Sequence, residues 1–372
     1  MTPGSFKIIA PVQRTRPSPY YHATLKAGVK AFSVYNRMLF PIWYDSPEAD
    51  YWHLINNVTI WDVACQRQIE ISGPDAFTLT RMMTPRDISN CAVGRCMYVP
   101  IVDQDGGMIN DPVLLRLAAD RFWLSLADSD VLLWAKGLAL GHSLDVQVHE
   151  PDASPLAIQG PNADALCARL LGDWISDLRF FRFREFELDG IPIIVARSGW
   201  SKQGGLELYL QDGQQGEKLW DMAFAAGKEL DVKPAAPSAI ERIESGLLSY
   251  GNDMTLEHNP LEIGLEKYCQ LDQDFEFIGK AALRQIRAEG VHQKLVGIKF
   301  SGRNRFPNSS HWPVTANDQP VGILTSSTYS PRVGASIGLA MLGLEHTAEG
   351  TPVIVETPTG PATAHVHPVP FL

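Results

Sequence analysis

The chain has 372 residues, 45% of them hydrophobic and 20% charged, which is ordinary globular composition and longer than one core usually grows, so two or three domains are expected. A formal net charge of -10 at pH 7 argues against a general grip on nucleic acid phosphates, which needs clustered cations, but not against an anionic ligand in a locally positive pocket. The five cysteines are odd in number and include no CxxC pair, so a disulfide framework and a four-cysteine zinc site are both poor readings, and reduced, buried thiols are expected.

Residues 1–20 are Pro-rich and read as an extended arm without the apolar core of a signal peptide. No run reaches the roughly 18 apolar residues of a membrane span, so a cytoplasmic protein without a membrane partner is expected. The spacing of Tyr51, Trp52, Leu54, Ile55, Val58, Ile60 and Trp61 predicts a short helix running into a strand. Residues 67–73 alternate as a strand, and GPDAFTLTRMM continues as a helix with Asp75 near its start, where a carboxylate suits the helix dipole. Residues 98–102, the turn Asp105-Gly106-Gly107 and residues 112–117 read as a hairpin, followed by a strand over 121–127 and a helix over 128–140. SPLAIQGPNADALCARLLG repeats the strand, Gly-Pro, helix pattern of EISGPDAFTLTRMM, as two related α+β halves would. FRFREFELDGIPIIVARSG predicts two strands joined at Asp189-Gly190. QQGEKLWDMAFAAGKEL is helical in period, and PSAIERIESGLLSYG predicts a helix whose Ser238 and Glu241 form a capping box. After about residue 285, KLVGIKF, TPVIVET and ATAHVHPV read as an all-β domain.

Several chemistries lack their motif. There is no GxGxxG, no GxxxxGK[ST] and no HExxH, and SGWSK is not a nucleophile elbow. His365 and His367 share one face of a strand but have no third ligand in view, so no metal is expected. Four glycine-rich segments stand out instead: YVPIVDQDGGMINDPVLLRL, RSGWSKQGGLELYL, IESGLLSYGNDMTLEHNPLEIGL, and the pair FIGKAAL and VGILTSSTYSPRVGASIGLAML.

Through these four segments, in order, the sequence resembles the glycine cleavage T-protein (aminomethyltransferase) family over nearly its whole length. The resemblance implies an α+β fold, a three-domain cloverleaf around a folate channel, with a C-terminal all-β barrel-like domain. Its domains would be residues 1–55 with 146–284 for folate binding, residues 56–145, and residues 285–372. It also implies tetrahydrofolate as co-substrate. The family motif RxGYTGExGxE falls on residues 197–207 and ends at Glu207, the residue implied to bind the pterin. A carboxylate can accept two N–H bonds from the 2-amino-pyrimidinone edge, and strand alternation puts Glu207 and Tyr209 on one face.

The departures redirect the chemistry. Trp200 stands where the aminomethyltransferases carry Tyr, Lys202-Gln203 where they carry Gly-Glu, and Asn110 where GGxxDD has its first Asp, with Asp111 keeping the second. Neutral Asn110 removes an acid–base group that aminomethyl transfer would use. VKAFSVYNRMLFP, DYWHLINNVTIWDVACQRQIEISG and ARSGWSKQGGLELY resemble the branch of the family that demethylates a sulfonium. The expected reaction is therefore methyl transfer from dimethylsulfoniopropionate to N5 of tetrahydrofolate, giving 5-methyltetrahydrofolate and 3-(methylthio)propionate. The enzyme would align N5, carbon and sulfur without a covalent intermediate, so Tyr98 and Asp111 are expected to position rather than to react. Trp200, Tyr209, Trp174 and Tyr98 could hold the cation on their ring faces. Ser125 or Tyr35 could meet the donor's carboxylate by a hydroxyl, and Lys30, Arg37 or Lys202 by a charge. Glu207, Asp111, Tyr98 and Arg332 are the folate-side candidates, Arg332 for the glutamate tail. A different onium or methoxy donor and the glycine cleavage aminomethyltransferase are the alternatives. A non-enzymatic folate binder ranks behind them, because EKYCQLDQDFE is a poor match to the KGCYxGQE-type motif of such proteins. The partners are thus two small molecules, and a homodimer is left open.

Overall fold

The structure, a computed structural model, describes residues 12–304 and 308–372. Of the arm expected over residues 1–20, residues 1–11 lie outside the described residues, and Thr15 closes a turn by donating to the Val12 carbonyl. The chain divides into two compact units, Met1–Gln68 with Glu150–Ser238 and Ile69–His149 with Ala239–Leu372.

The first unit is built on a six-stranded sheet, in the order Phe183–Leu188, Ile191–Ala196, Gly205–Leu210, Ser154–Gln159, Val58–Asp62 and Val232–Ala235. All neighbours are antiparallel except the last pair. Alternation sorts the side chains. One face carries Ile60, Leu156, Ile158, Ile193, Val195, Leu206 and Leu208, which pack on Leu166 of the helix Ala163–Leu171 and Leu219 and Trp220 of the helix Gly216–Gly227. The opposite parity puts Trp61, Ala157, Ala196, Glu207 and Tyr209 on the other face. Asp189 (φ 50°) and Gly190 (φ 80°) make the expected tight turn, in which both central residues need positive φ. The helix Pro47–Asn56 starts where Ser46 Oγ accepts from Ala49 N at 3.2 Å.

The second unit holds a five-stranded sheet, in the order Gln147–His149, Gln68–Ser72, Arg121–Ser125, Val113–Ala118 and Arg95–Tyr98. Its core joins Ile69, Ile71, Leu114, Phe122 and Leu124 to Leu79 of the helix Ala76–Met82 and Ala135 of the helix Val131–Gly141. Asp75 does not cap the first of these helices; its side chain accepts from Asp145 N at 2.8 Å, tying two loops together instead. The expected hairpin is nested. Arg95–Tyr98 pairs with Val113–Ala118, and inside it Ile101–Val102 pairs with Met108–Asn110. Gly107 is required there, since a Cβ would lie 2.3 Å from the Leu256 carbonyl oxygen.

The β-rich end of this unit begins at Gln293 rather than at 285, because Lys280–Glu289 is a helix ended by Gly290 at φ 85°. Six strands then close a barrel in the order Gln293–Phe300, Ala335–Gly343, Gln319–Ser330, Trp312–Ala316, Pro352–Thr357 and Gly360–His367. The first and last strands pair, with Ile298 opposite Val366. Ile298, Val314, Leu324, Leu342, Val355 and Val366 share its core. Among the described residues no helix is long and apolar enough to cross a membrane.

Candidate functional site

In the first unit the segment from Arg197 to Leu210 is fixed at both ends. Arg197 donates to Asp164 Oδ1 at 2.7 Å, to the Ile175 carbonyl at 2.8 Å and to the Leu178 carbonyl. The strand Gly205–Leu210 holds the other end between two neighbours. Glu207 lies on that strand opposite Ala157 on one side and Ala196 on the other. Its two cross-strand neighbours are thus both methyl-sized. Ser198 Oγ donates to Glu207 Oε2, and the Tyr209 hydroxyl donates to the same oxygen at 3.3 Å. Glu207 is buried, and burial raises its pKa while the two hydroxyls pull it back. Among the described residues no arginine or lysine acts on it. Its charge is therefore held by neutral donors, which suits an acceptor for the N–H edge of a pterin. Trp200 sits half-buried in the loop between Gly199 and Ser201.

The other candidates of this unit have partners of their own. Trp174 Nε1 donates to the Leu171 carbonyl at 2.8 Å, and its ring lies 5.3 Å from Phe186 with the Arg184 guanidinium 4.8 Å over it. Those contacts are what packing against the core requires. Lys30 is exposed and donates to the Asp45 carbonyl at 3.0 Å. Arg37 is exposed at a turn position with φ 61°, and Lys202 is exposed with φ 54°. The Tyr35 ring packs 6.1 Å from Phe40.

In the second unit Tyr98 donates to Asp111 Oδ2 at 2.9 Å. The Tyr268 ring stands edge-on to Tyr98 at 5.2 Å, and the Arg86 guanidinium lies 4.7 Å over Tyr268. Burial pushes the Asp111 carboxyl up to about 7, the Asp253 charge adds to this, and the Tyr98 bond opposes it. Asn110 has turned away from any such chemistry. Its Nδ2 donates to the Ala127 carbonyl at 3.0 Å and to Ser129 Oγ at 2.7 Å, while its Oδ1 accepts from Ala127 N at 3.0 Å. An amide satisfies both polar groups of Ala127; an ionised Asp would lack the donor. Ser125 is buried at the end of its strand, opposite Val113. Arg332 pairs with the buried Glu244 at 2.5 Å, and Ser330 Oγ donates to the same carboxylate at 2.5 Å. A folate tail would have to share Arg332 with that acid.

The site candidates therefore fall into two groups. Glu207, Tyr209, Trp200 and Trp174 belong to the first unit, and Tyr98, Asp111, Ser125 and Arg332 to the second. Reading residue types missed the hydroxyl run on the strand Gln319–Ser330. Thr325 and Ser326 donate to Asp253 Oδ1 at 2.7 and 2.5 Å, and Arg242 bonds Asp253 Oδ2 at 2.6 Å. The signal was there: acids within apolar IESGLLSYGND need donors, and TSST is the nearest supply of hydroxyls along a β-strand. It missed Gln159 as well. His365 is exposed, His367 Nδ1 lies 2.7 Å from the Pro368 carbonyl, and among the described residues no group of three His, Cys, Asp or Glu could hold a metal.

Comparison with known proteins divides the chain along its length instead. Residues 20–273 match the family model of the GCVT N-terminal domain, and residues 293–372 match the glycine cleavage T-protein C-terminal barrel domain. A dimethylsulfoniopropionate demethylase of Ruegeria pomeroyi is 47% identical over 95% of this chain and 96% of its own. An aminomethyltransferase of Bacillus cereus is 27% identical over 97% of this chain and 98% of its own. The crystal structure of the glycine cleavage system aminomethyltransferase T of Bartonella henselae superposes with a TM-score of 0.87 at 23% identity, covering 96% of this chain and 98% of that one, a likeness of fold.

Proposed function

This chain belongs to the glycine cleavage T-protein family, and on that premise we propose that it transfers a methyl group from dimethylsulfoniopropionate to N5 of tetrahydrofolate, leaving 3-(methylthio)propionate. The observation that carries the reading is the 47% identity to a demethylase of that donor, against 27% to an aminomethyltransferase. Asn110 agrees with it, because its amide is committed to Ala127 and Ser129 and offers no acid or base.

Tetrahydrofolate supplies the nucleophilic N5; the C–S bond breaks toward sulfur, which leaves as a neutral thioether, and the N5 proton passes to water. The chain's own part is binding and alignment. Glu207, oriented by Ser198 and Tyr209, accepts the pterin N–H edge. Trp200 and Tyr209 present ring faces to the sulfonium, each contact contributing about 0.5–2 kcal/mol. Tyr98 and Asp111, bonded to each other, are the residues proposed to position rather than to react. A cytoplasmic setting and the three-domain partition of residues 1–55 with 146–284, 56–145 and 285–372 belong to the same proposal.

The test is turnover with tetrahydrofolate and a panel of donors: dimethylsulfoniopropionate, glycine betaine, a methoxy compound and an aminomethyl-loaded lipoyl carrier. The expected result is 5-methyltetrahydrofolate from the first. None from the first but some from betaine or the methoxy compound would move the donor, and activity with the carrier would restore aminomethyl transfer. Trp200→Ala should raise KM for the donor more than for folate.

A further inference from the structure

Gln159 ends the strand Ser154–Gln159 and is 1% exposed. Alternation from Ala157 puts it on the same face as Glu207, one step diagonally across the sheet, since Glu207 faces Ala157 and Gln159 faces Gly205. The partner position has no side chain, and the Gln159 amide occupies that space. A Cβ on Gly205 would lie 2.9 Å from Nε2 and 2.0 Å from the Ile158 carbonyl oxygen. A Cβ on Gly199 would lie 2.3 Å from Oε1. Gly199 is thus glycine because this amide stands against it, and Gly205 because the Ile158 carbonyl and the amide together leave no room for a Cβ.

The amide also bonds both sides of the loop. Nε2 donates toward the carbonyls of Ile158, Ser198 and Leu206 at 3.2, 3.4 and 3.5 Å. Oε1 accepts from Ser201 Oγ at 2.7 Å, and Ser201 Oγ in turn accepts from Gln203 N at 3.1 Å. Ser198, whose carbonyl is held here, is the residue whose hydroxyl binds Glu207. Trp200 lies between the two held residues.

We propose that Gln159 is the positioning residue that couples the pterin contact to the donor contact: it holds Ser198 so that its hydroxyl meets Glu207, and in the same grip sets Trp200. This rests on the folate role given to Glu207 above. A neutral amide offers a donor to the carbonyls and an acceptor to Ser201 at once, which an ionised carboxylate does not. A substitution here should therefore disturb folate and donor together, unlike Glu207→Ala or Trp200→Ala, which act mainly on one ligand each.

Gln159→Glu keeps the shape and removes the donors; Ser201→Ala keeps Gln159 and removes one bond, and serves if the first variant does not fold. Three quantities are read on folded full-length protein: the tetrahydrofolate Kd, KM for dimethylsulfoniopropionate, and amide hydrogen exchange over residues 199–204. For Gln159→Glu we expect both constants to rise about tenfold or more and exchange to rise at least as much. Ser201→Ala should show smaller changes in the same direction. A folded Gln159→Glu with both constants and exchange within twofold of wild type would overturn the inference, as would a change in only one of the two ligands. Wild-type protein that binds no tetrahydrofolate would strike the folate assignment itself, and the coupling with it; that result is read before any variant is made.

Discussion

Asp253 and Glu207 are both buried carboxylates, and the fold holds them in opposite ways. Asp253 has Arg242 at 2.6 Å, the hydroxyls of Thr325 and Ser326, and Ser249 N at 3.0 Å. Glu207 has two hydroxyls and, among the described residues, no cation acting on it. The first is an internally completed ion pair that fixes the segment after the helix Ala239–Glu244 to the barrel strand Gln319–Ser330. The second is a negative charge left incomplete, and a ligand's N–H groups can complete it. Asp62 shows that the partner set alone does not mark a site. Among the described residues it too has no cation acting on it, with Ser18 Oγ at 2.5 Å and Ala64 N at 3.2 Å, and burial pushes it up to about 6. By alternation Asp62 lies on the helix-covered face with Val58 and Ile60, whereas Glu207 lies on the other face beside alanines.

The contrast can be broken most sharply at Arg242. Arg242→Ala leaves Asp253 buried without its counter-ion and should cost about 3–5 kcal/mol of stability. Urea or thermal unfolding checks it, and a loss under about 1 kcal/mol would mean that Asp253 is no more self-sufficient than Glu207. At Glu207 the signs should reverse. Glu207→Gln removes a desolvated charge, so the melting temperature should hold or rise, while tetrahydrofolate affinity falls by about 1.5–3 kcal/mol in a binding titration. Asn110→Asp should sharpen the reading of that position: losing the donor to Ala127 should cost about 2 kcal/mol at pH 8, less at pH 5 where a protonated acid can donate, without creating aminomethyl transfer. Asp111 carries a pH dependence of its own. Its carboxyl titrates in the folded protein near 7, above the unfolded value, so its contribution to stability is full below about pH 4 and is lost as pH rises through 7. Asp111→Asn should remove that slope, flattening a change of roughly 2–3 kcal/mol in stability between pH 5 and 8.

The local architecture was largely legible. The two Gly-Pro strand-to-helix units, the Asp189-Gly190 hairpin and the β-rich C-terminus follow from period and turn chemistry that act within a few residues. The family motif led to Glu207 and Tyr209, and alternation put them on one face. The shortfall lies in partners distant in sequence. Nothing near Arg332 announces that Glu244, 88 positions earlier, occupies it, and nothing near Asp75 points to Asp145 N. Asn110 reads as the absence of an acid until Ala127 and Ser129 reveal an amide used on both ends. Trp174 reads as an available aromatic face, and its contacts with Arg184 and Phe186 come from residues at least ten positions away. Polar side chains are chosen for their partners, and those partners are set by tertiary structure rather than by local period.

The closed barrel has a consequence for how this domain folds. Its first strand, Gln293–Phe300, has one neighbour in Ala335–Gly343 and the other in Gly360–His367. Until Gly360–His367 has paired, the first strand exposes a row of unpaired backbone groups to whatever else is nearby. Closure therefore waits on a contact distant in sequence, and a variant in which Gly360–His367 failed to pair would present an adhesive edge instead of a closed surface.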